Sequence, residues 1–145
     1  MPFEFSLAAV LRYRASIEQR EHLALEKLQQ ALSVTELKIR EVDHACSLAS
    51  QKRIPEAGVG IIAADVQSAY SHLTALEQQR DALRTLLEEL KLKWQQQLRS
   101  YELAHRKRET LEHLRSQQLD AYKREQARRE QSVIDDVFLS RRGRS

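Results

Sequence analysis

The sequence predicts an all-α protein with two long helices in an antiparallel coiled-coil hairpin, the second helix being longer and overhanging the first. Three observations predict this fold class. Glycine and proline are scarce, with 3 and 2 residues in 145, which disfavours long loops and β-sandwiches. Apolar residues recur at alternating steps of three and four, as in a coiled-coil seam. The helix-breaking residues that separate the two patterned stretches cluster at residues 54–60.

The breaks and caps define the expected boundaries of the hairpin. We expect one coiled-coil hairpin over residues 1–145, with a first helix over about 6–53, a connection over about 54–61, a second helix over about 62–139 and a flexible tail over 140–145. Ser6 is the predicted N-cap, because its hydroxyl can accept a hydrogen bond from a free N–H of the first turn. Pro55 and the glycines that follow it disfavour helix and mark the connection.

Each predicted helix has one apolar seam. On the first helix the seam positions are Leu25, Leu28, Leu32, Thr35, Ile39, Val42, Cys46 and Ala49. On the second helix they are Val66, Ala69, Leu73, Leu76, Arg80, Leu83, Leu87, Leu90, Trp94, Gln97, Tyr101 and Ala104, followed in the same register by Arg108, Leu111, Arg115, Gln118 and Tyr122. Cys46 and Trp94 are expected to pack in the seam rather than to carry chemistry.

The short connection also predicts which residues face each other, since it favours antiparallel neighbours. Folding the chain about residue 57 places residue i near residue 114 − i, so that Leu11 lies near Leu103 and Leu25 near Leu90. The N-terminal end of the first helix then lies opposite residue 107. The part of the second helix beyond that residue forms a C-terminal overhang of about 30–45 Å. Apolar residues without cover on such an overhang suggest a protein partner. They are Leu111, Leu114, Leu119, Tyr122, Val133, Ile134, Val137, Phe138 and Leu139.

The sequence offers no pattern typical of catalysis or cofactor binding. It has one cysteine, no glycine-rich phosphate loop and no HExxH motif, and its five histidines are scattered along the helices. We therefore expect a protein that is not an enzyme, with no catalytic, cofactor-binding or metal-binding residues. No apolar run approaches the roughly 20 residues that span a bilayer, and the first residues lack the basic cluster of a signal peptide. The expected compartment is the cytosol, without direct membrane insertion.

The charge pattern argues against nucleic-acid binding. The net charge is only +3. Residues 106–145 carry eleven basic and seven acidic residues, and the acids interrupt the bases throughout. A helix that lies on phosphates keeps acids away from its contact face, because phosphates repel them. No nucleic-acid partner is expected, and the basic end is better suited to a protein surface with acidic patches.

Three stretches of the sequence resemble the flagellar export protein FliJ family. The first is the opening, residues 3–7 with 10–14 (FEFSL and VLRYR). The second is the entry to the second helix, residues 64–70 (ADVQSAY) with Leu73 and Leu76. The third comprises residues 106–114 (RKRETLEHL), Tyr122 and the stretch that follows it, Glu130-Gln131 and residues 134–136 (IDD), where Asp136 stands in place of the family's Glu.

The resemblance implies a stalk in the flagellar type III export apparatus. Members of the family form antiparallel coiled coils and do not hydrolyse ATP. Their terminal end inserts into the ring of the export ATPase FliI and promotes ring assembly and activity, and the looped end meets the membrane export gate protein FlhA. Export chaperones are further implied partners. The implied location is cytoplasmic, peripherally associated with the inner-membrane export apparatus.

Candidate contact residues lie near both ends of the predicted hairpin. The candidates for the ATPase contact are Leu11, Arg12, Arg14, Arg128 and Arg129, since arginines suit a ring lumen that presents carboxylates. The candidates for the export-gate contact are Tyr70, Leu73 and Leu76. Leu73 and Leu76 are also seam positions, so Tyr70, beside the seam, is the better candidate. Two alternatives remain: a generic coiled-coil scaffold or adaptor, which predicts a dimeric mass and no effect on an ATPase, and a stalk protein of an injectisome type III secretion system.

Overall fold

The computed structural model describes residues 2–56 and 63–143. They form two helices, α1 (Ala8–Glu56) and α2 (Ala63–Arg142), of 49 and 80 residues. The helices pack against each other and the second is longer, which confirms the predicted all-α hairpin. Gly58 and Gly60, on which the predicted connection depends, and residues 144–145 of the predicted tail lie outside the described residues.

The helix ends differ from the predicted ones by one to three residues. Ser6 lies in a turn rather than at the N-cap. In this turn the N–H of Ala8 donates to the carbonyl of Phe5 (3.1 Å), and Phe5 itself is buried. Burial of Phe5 holds the chain in this turn, so α1 begins at Ala8.

The C-terminal ends of both helices extend further than predicted. α1 continues through Pro55 to Glu56, because the fixed φ of proline is compatible with a helix and a proline in the last turn removes only one backbone hydrogen bond. α2 continues to Arg142, and the N–H of Gly143 still donates to the carbonyl of Leu139 (3.0 Å). Arg141 and Arg142 in the last turn complement the negative end of the helix dipole.

The chain forms two compact units, each with a stretch of both helices. Unit 1 comprises Met1–Glu21 and Tyr101–Ser145, and unit 2 comprises His22–Ser100. In unit 2 all eight predicted seam positions of α1 are buried or half-buried, and Leu32, Thr35, Val42 and Cys46 are the buried ones. The hydroxyl of Thr35 donates to the carbonyl of Ala31 (2.8 Å), which satisfies this buried polar group.

The α2 side of unit 2 follows its predicted seam from Leu73 to Gln97. The predicted positions in this stretch are all half-buried. Val66 and Ala69, also predicted on the seam, are exposed. Asp43 faces Arg80 and Arg84, so the positions opposite Val66 and Ala69 fall at or beyond the end of α1, where α1 offers no cover.

In unit 1 the first residues of the chain cover more of α2 than predicted. The rings of Phe3 and Tyr122 lie 5.6 Å apart, and Ala104 is buried. Four of the apolar residues predicted to lie on the overhang are therefore half-buried: Leu111, Leu114, Leu119 and Tyr122. After Leu111 the seam passes through Leu114 and Leu119, while Arg115 and Gln118, which the continued register placed on it, are exposed.

The prediction that residue i faces residue 114 − i is wrong in both units. It placed Glu18 opposite residue 96 and Asp43 opposite residue 71, whereas Glu18 contacts His105 and Arg108 and Asp43 contacts Arg80 and Arg84. The facing residues thus lie nine to thirteen positions further along α2. Cross-helix ion pairs set this register, and the assumed centre of the fold at residue 57 did not take them into account.

Candidate functional site

The C-terminal end of α2, in unit 1, carries a group of exposed apolar residues close together along the helix. Every position from 127 to 143 is exposed. We name Val133, Ile134, Val137 and Phe138 the terminal apolar face; their exposed fractions lie between 48% and 63%. Spacings of one, three and four residues place them on one side of the helix. Leu139 is also exposed (62%) but points away from this face. An uncovered apolar face on a highly charged helix is typical of a binding surface.

Arg128 and Arg129 precede this face and are held by the same carboxylate. Arg128 donates to Glu125 through Nε (3.1 Å) and Nη2 (2.8 Å), and Arg129 donates through Nε (3.3 Å). The hydrogen bonds and charge of Arg128, with those of Arg129, hold the pKa of Glu125 below its ordinary value. In return, Glu125 raises the pKa of Arg128. A partner carboxylate would have to exchange with Glu125 to bind these guanidinium groups.

The other candidates for the ATPase contact lie on the first turns of α1. Arg12 is exposed, while Leu11 and Arg14 are half-buried. Phe3 contacts Tyr122, and from that contact α1 and α2 lead in opposite directions to Arg12 and to Arg128. Unit 1 therefore contains both arginine pairs but does not bring them together. The pairs could meet only different parts of a partner's surface.

A polar cluster that the sequence-based interpretation missed crosses the seam of unit 1. Arg108 donates from Nε to Glu18, and His105 Nδ1 lies 3.0 Å from the other oxygen of the same carboxylate. Because a carboxylate only accepts, the His105 ring donates through Nδ1. Its Nε2 lies 3.5 Å from Glu109, and its ring stacks on Tyr101 at 6.0 Å. Only 16% of the Glu18 side chain is exposed.

The environment of Glu18 favours its charged form. Burial by itself would raise the pKa of Glu18, but the hydrogen bonds from His105 and Arg108, together with their charges, outweigh burial. The pKa of Glu18 therefore lies below its ordinary value. The arrangement fixes how the two helices meet, since Glu18 has its two donors only in one register.

Unit 2 contains a second cross-helix cluster, around Asp43. Its Oδ1 lies 3.9 Å from Arg80 Nε and 3.8 Å from Arg84 Nη2. Arg80 occupies a seam position, and in the described part of the chain its buried Nε has no hydrogen-bond partner. The sequence contained a signal for both clusters, because a charged residue on a seam, such as Arg80 or Arg108, needs an acid on the facing helix. Pairing each with an acid of α1 would have revealed the register.

The candidates for the gate contact all lie near the start of α2, in unit 2. Tyr70 is 55% exposed, and its carbonyl accepts a hydrogen bond from the Thr74 hydroxyl (2.9 Å). Leu73 and Leu76 are half-buried at their seam positions. Tyr70 therefore exposes a larger share of its side chain than the two half-buried leucines.

The residues that the structure describes show neither a metal site nor a membrane-spanning helix. They contain no group of three or more His, Cys, Asp or Glu side chains placed to hold a metal ion. Neither helix has a stretch that is long and apolar enough to cross a bilayer. Cys46, the one cysteine, is a buried thiol in unit 2.

The chain was compared with known proteins. A family model described as "Flagellar FliJ protein" matches residues 3–145, nearly the whole length. Neither the curated proteins nor the solved structures yield a match. The matched range includes both helices and all three stretches that carry the resemblance.

Proposed function

The chain belongs to the flagellar FliJ family, and from that premise we propose that it is a non-catalytic stalk of the flagellar export apparatus. Family membership makes the protein a component of the type III export apparatus of the flagellum. In the proposed role it promotes assembly and activity of the export ATPase ring, a FliI-like protein, and links the ring to a FlhA-like export gate. It acts in the cytoplasm, peripherally associated with the inner-membrane apparatus, and export chaperones are further partners.

The observation that carries the ATPase part of the proposal is the uncovered terminal apolar face. A helix that exposes Val133, Ile134, Val137 and Phe138 to water gains free energy when a partner covers them, at roughly 25 cal/mol per Å² of buried apolar surface. Asp135 and Asp136 lie between them, and Glu130 and Arg141 lie nearby, which keeps the segment dissolved until the partner binds. Such a segment suits an apolar site in the ring.

Arginines on both helices of unit 1 supply the electrostatic part of this contact. Arg12 is exposed, and Arg128 and Arg129 lie just before the terminal apolar face. Carboxylates in the ring would attract them and orient the approaching chain, a contribution to association rate and specificity more than to affinity. Leu11 and Arg14, both half-buried, contribute less of their surface to the contact.

Unit 2 would carry the gate contact through Tyr70. An exposed tyrosine can bury a large ring and keep its hydroxyl hydrogen-bonded, and for this reason tyrosine is enriched at interfaces. Leu73 and Leu76 are half-buried seam positions, so their main contribution is to the packing of the helix that carries Tyr70. Replacing Tyr70 with alanine is therefore expected to weaken gate binding more than replacing Leu73, while the Leu73 variant loses more stability.

The test is the hydrolysis rate of the cognate export ATPase with and without an equimolar amount of this protein at moderate salt. We expect stimulation together with ring formation. The double variant V137D/F138D should abolish stimulation at unchanged helix content, since both side chains are exposed. Leu92→Asp, which alters an equally exposed leucine in unit 2, is the matched control and should stimulate normally. Absence of stimulation with an active ATPase would favour the scaffold function instead.

A further inference from the structure

The part of α1 that lies in unit 2 has a second line of apolar residues on its outer side. Leu23, Val34, Leu37 and Leu48 are 50%, 52%, 53% and 45% exposed. In the described part of unit 2, the large apolar residues of α1 that are exposed are these four. At about 100° per residue they fall within an arc of roughly 60°. Single exposed apolar residues are ordinary, but their alignment on one arc indicates a contact surface.

These residues belong to a regular repeat, which we name the outer stripe. It follows alternating steps of four and three: Leu23, Lys27, Gln30, Val34, Leu37, Glu41, His44 and Leu48, and all eight are exposed. The seam that faces α2, with Leu32 and Val42, runs along the opposite side of α1. The helix thus has two stripes with coiled-coil spacing, and α2 covers only one of them.

The outer stripe is complementary to itself when two copies run antiparallel. In antiparallel coiled coils the two heptad core positions face each other, which here pairs residue i with residue 71 − i of the other copy. Leu23 then meets Leu48, and Val34 meets Leu37. Lys27 meets His44, and Gln30 meets Glu41. Apolar layers thus face apolar layers, and polar layers face polar layers.

Charge and register select this one arrangement. Lys27 of one copy faces His44 of the other, and Glu41 is the neighbour of His44 along the outer stripe. The opposite charges of Lys27 and Glu41 therefore come close. A parallel pairing would instead place Lys27 on Lys27 and Glu41 on Glu41. A shift of the antiparallel pairing by one heptad sets Leu37 against Glu41 in one direction and against Lys27 in the other. Among the antiparallel pairings, the unshifted one keeps every leucine and valine against an apolar side chain, and unlike the parallel pairing it places no like charges together.

We propose that the outer stripe binds a second copy of this chain and forms an antiparallel, two-fold symmetric dimer. Such an interface is isologous, since each layer recurs with the two copies exchanged. Half of its layers are polar, which specifies register and orientation at the expense of affinity. The dimer is therefore weak, and its population rises with protein concentration. This inference concerns the protein without its partners and does not depend on the stalk function.

Sedimentation equilibrium of the full chain over a wide concentration range tests the dimer. The wild-type mass should rise from 16.9 kDa toward twice that value as the concentration rises. Leu37→Lys should remain at the monomer mass, because it sets lysine against Val34 of the other copy. Leu92→Lys, at a leucine of α2 that is 62% exposed against 53% for Leu37, should behave as the wild type. A monomer at all concentrations, or a dimer that Leu37→Lys leaves intact, would overturn the proposal.

Two further variants test the orientation. In a Cys46→Ala background, disulfides should join an L23C chain to an L48C chain and not two L23C chains. Disulfides between two L23C chains would mean a parallel pair and would contradict the proposal. The single charge reversals Lys27→Glu and Glu41→Lys should each weaken the dimer, and the double variant should restore it. If the wild type is monomeric but Leu37→Lys lowers binding to another export component, the occupant is not a second copy and the proposal fails.

Discussion

Arg108 on α2 donates a hydrogen bond to Glu18 on α1, across the seam of unit 1. Glu18 also accepts a hydrogen bond from His105, which lies about one helical turn before Arg108 on α2. Sliding one helix by a heptad would set Glu18 against Leu98 and Tyr101 in one direction, and against Glu112 and Arg115 in the other. Either shift removes at least one of the two donors from a largely buried carboxylate, which is costly. The Glu18–Arg108 pair is therefore a register determinant, comparable to the polar core residues that specify pairing in coiled coils.

Replacing Glu18 with glutamine should lower the stability of the folded chain. Glutamine is nearly isosteric but converts charge-assisted hydrogen bonds into neutral ones, a loss of about 1 kcal/mol. Urea unfolding followed by circular dichroism measures the loss. Glu112→Gln, which removes an exposed pair with Arg115 on the same helix, is the control and should change the midpoint far less. Equal midpoints for the two variants would mean that Glu18 is not a register determinant.

The stabilisation from Glu18 should depend on pH in one direction. Its pKa is lowered in the folded chain from an ordinary value of 4.5, so the unfolded chain binds this proton more readily. The contribution is then fully present above the unfolded pKa and is lost as pH falls through the folded pKa. The difference in unfolding midpoint between wild type and Glu18→Gln should be constant at neutral pH and should shrink in acid. A difference that grows in acid would contradict this assignment.

The Asp43–Arg80 pair of unit 2 is partly buried, with 27% of the Arg80 side chain and 43% of the Asp43 side chain exposed, and should show a reduced form of the asymmetry of buried ion pairs. Asp43→Ala removes the acid of α1 that faces Arg80 but leaves Asp81 on α2, whose Oδ1 lies 3.7 Å from Arg80 Nε, so it should destabilise the chain by about 1 kcal/mol. Replacing both residues, as in D43A/R80L, places leucine at a seam position and should recover most of the loss, because an apolar pair often equals a buried ion pair. Thermal unfolding of the two variants gives the comparison. A double variant less stable than Asp43→Ala would show that Arg80 has another stabilising role.

The sequence predicted the two helices and most of their seams, but not how one helix lies along the other. Leu32, Val42 and Leu90 are buried or half-buried as predicted, because a 3.5-residue repeat alone determines which side of a helix is apolar. That repeat is nearly the same in every heptad, so apolar positions cannot distinguish one register from the next. The polar residues within the seam, Arg80 and Arg108, make that distinction.

The contact surfaces were predicted less completely for a related reason. The sequence predicted that the overhang of the second helix lacks a covering helix, so the exposure of Val133 and Phe138 was predicted. The partial burial of Leu111 and Leu114 was not predicted, because it depends on which residues of α1 and α2 face each other. The interaction of Arg128 with Glu125 also reduces what could be inferred from the basic end, since an arginine that is paired within its own helix presents less net charge to a partner.

Removing Glu125 should strengthen binding to the export ATPase if the arginines contact it. Glu125→Gln releases Arg128 and Arg129 from their shared carboxylate and adds one net positive charge beside the terminal apolar face. The Kd for the ATPase should fall, and binding should become more sensitive to salt, because newly available exposed charges are screened by ions. Titration at two salt concentrations measures both effects. Glu112→Gln adds the same charge beside Arg115, away from the proposed contact, and should leave Kd nearly unchanged. Equal affinities for R128A/R129A and the wild type would show instead that the apolar face binds without these arginines, and Glu125→Gln would then have no effect.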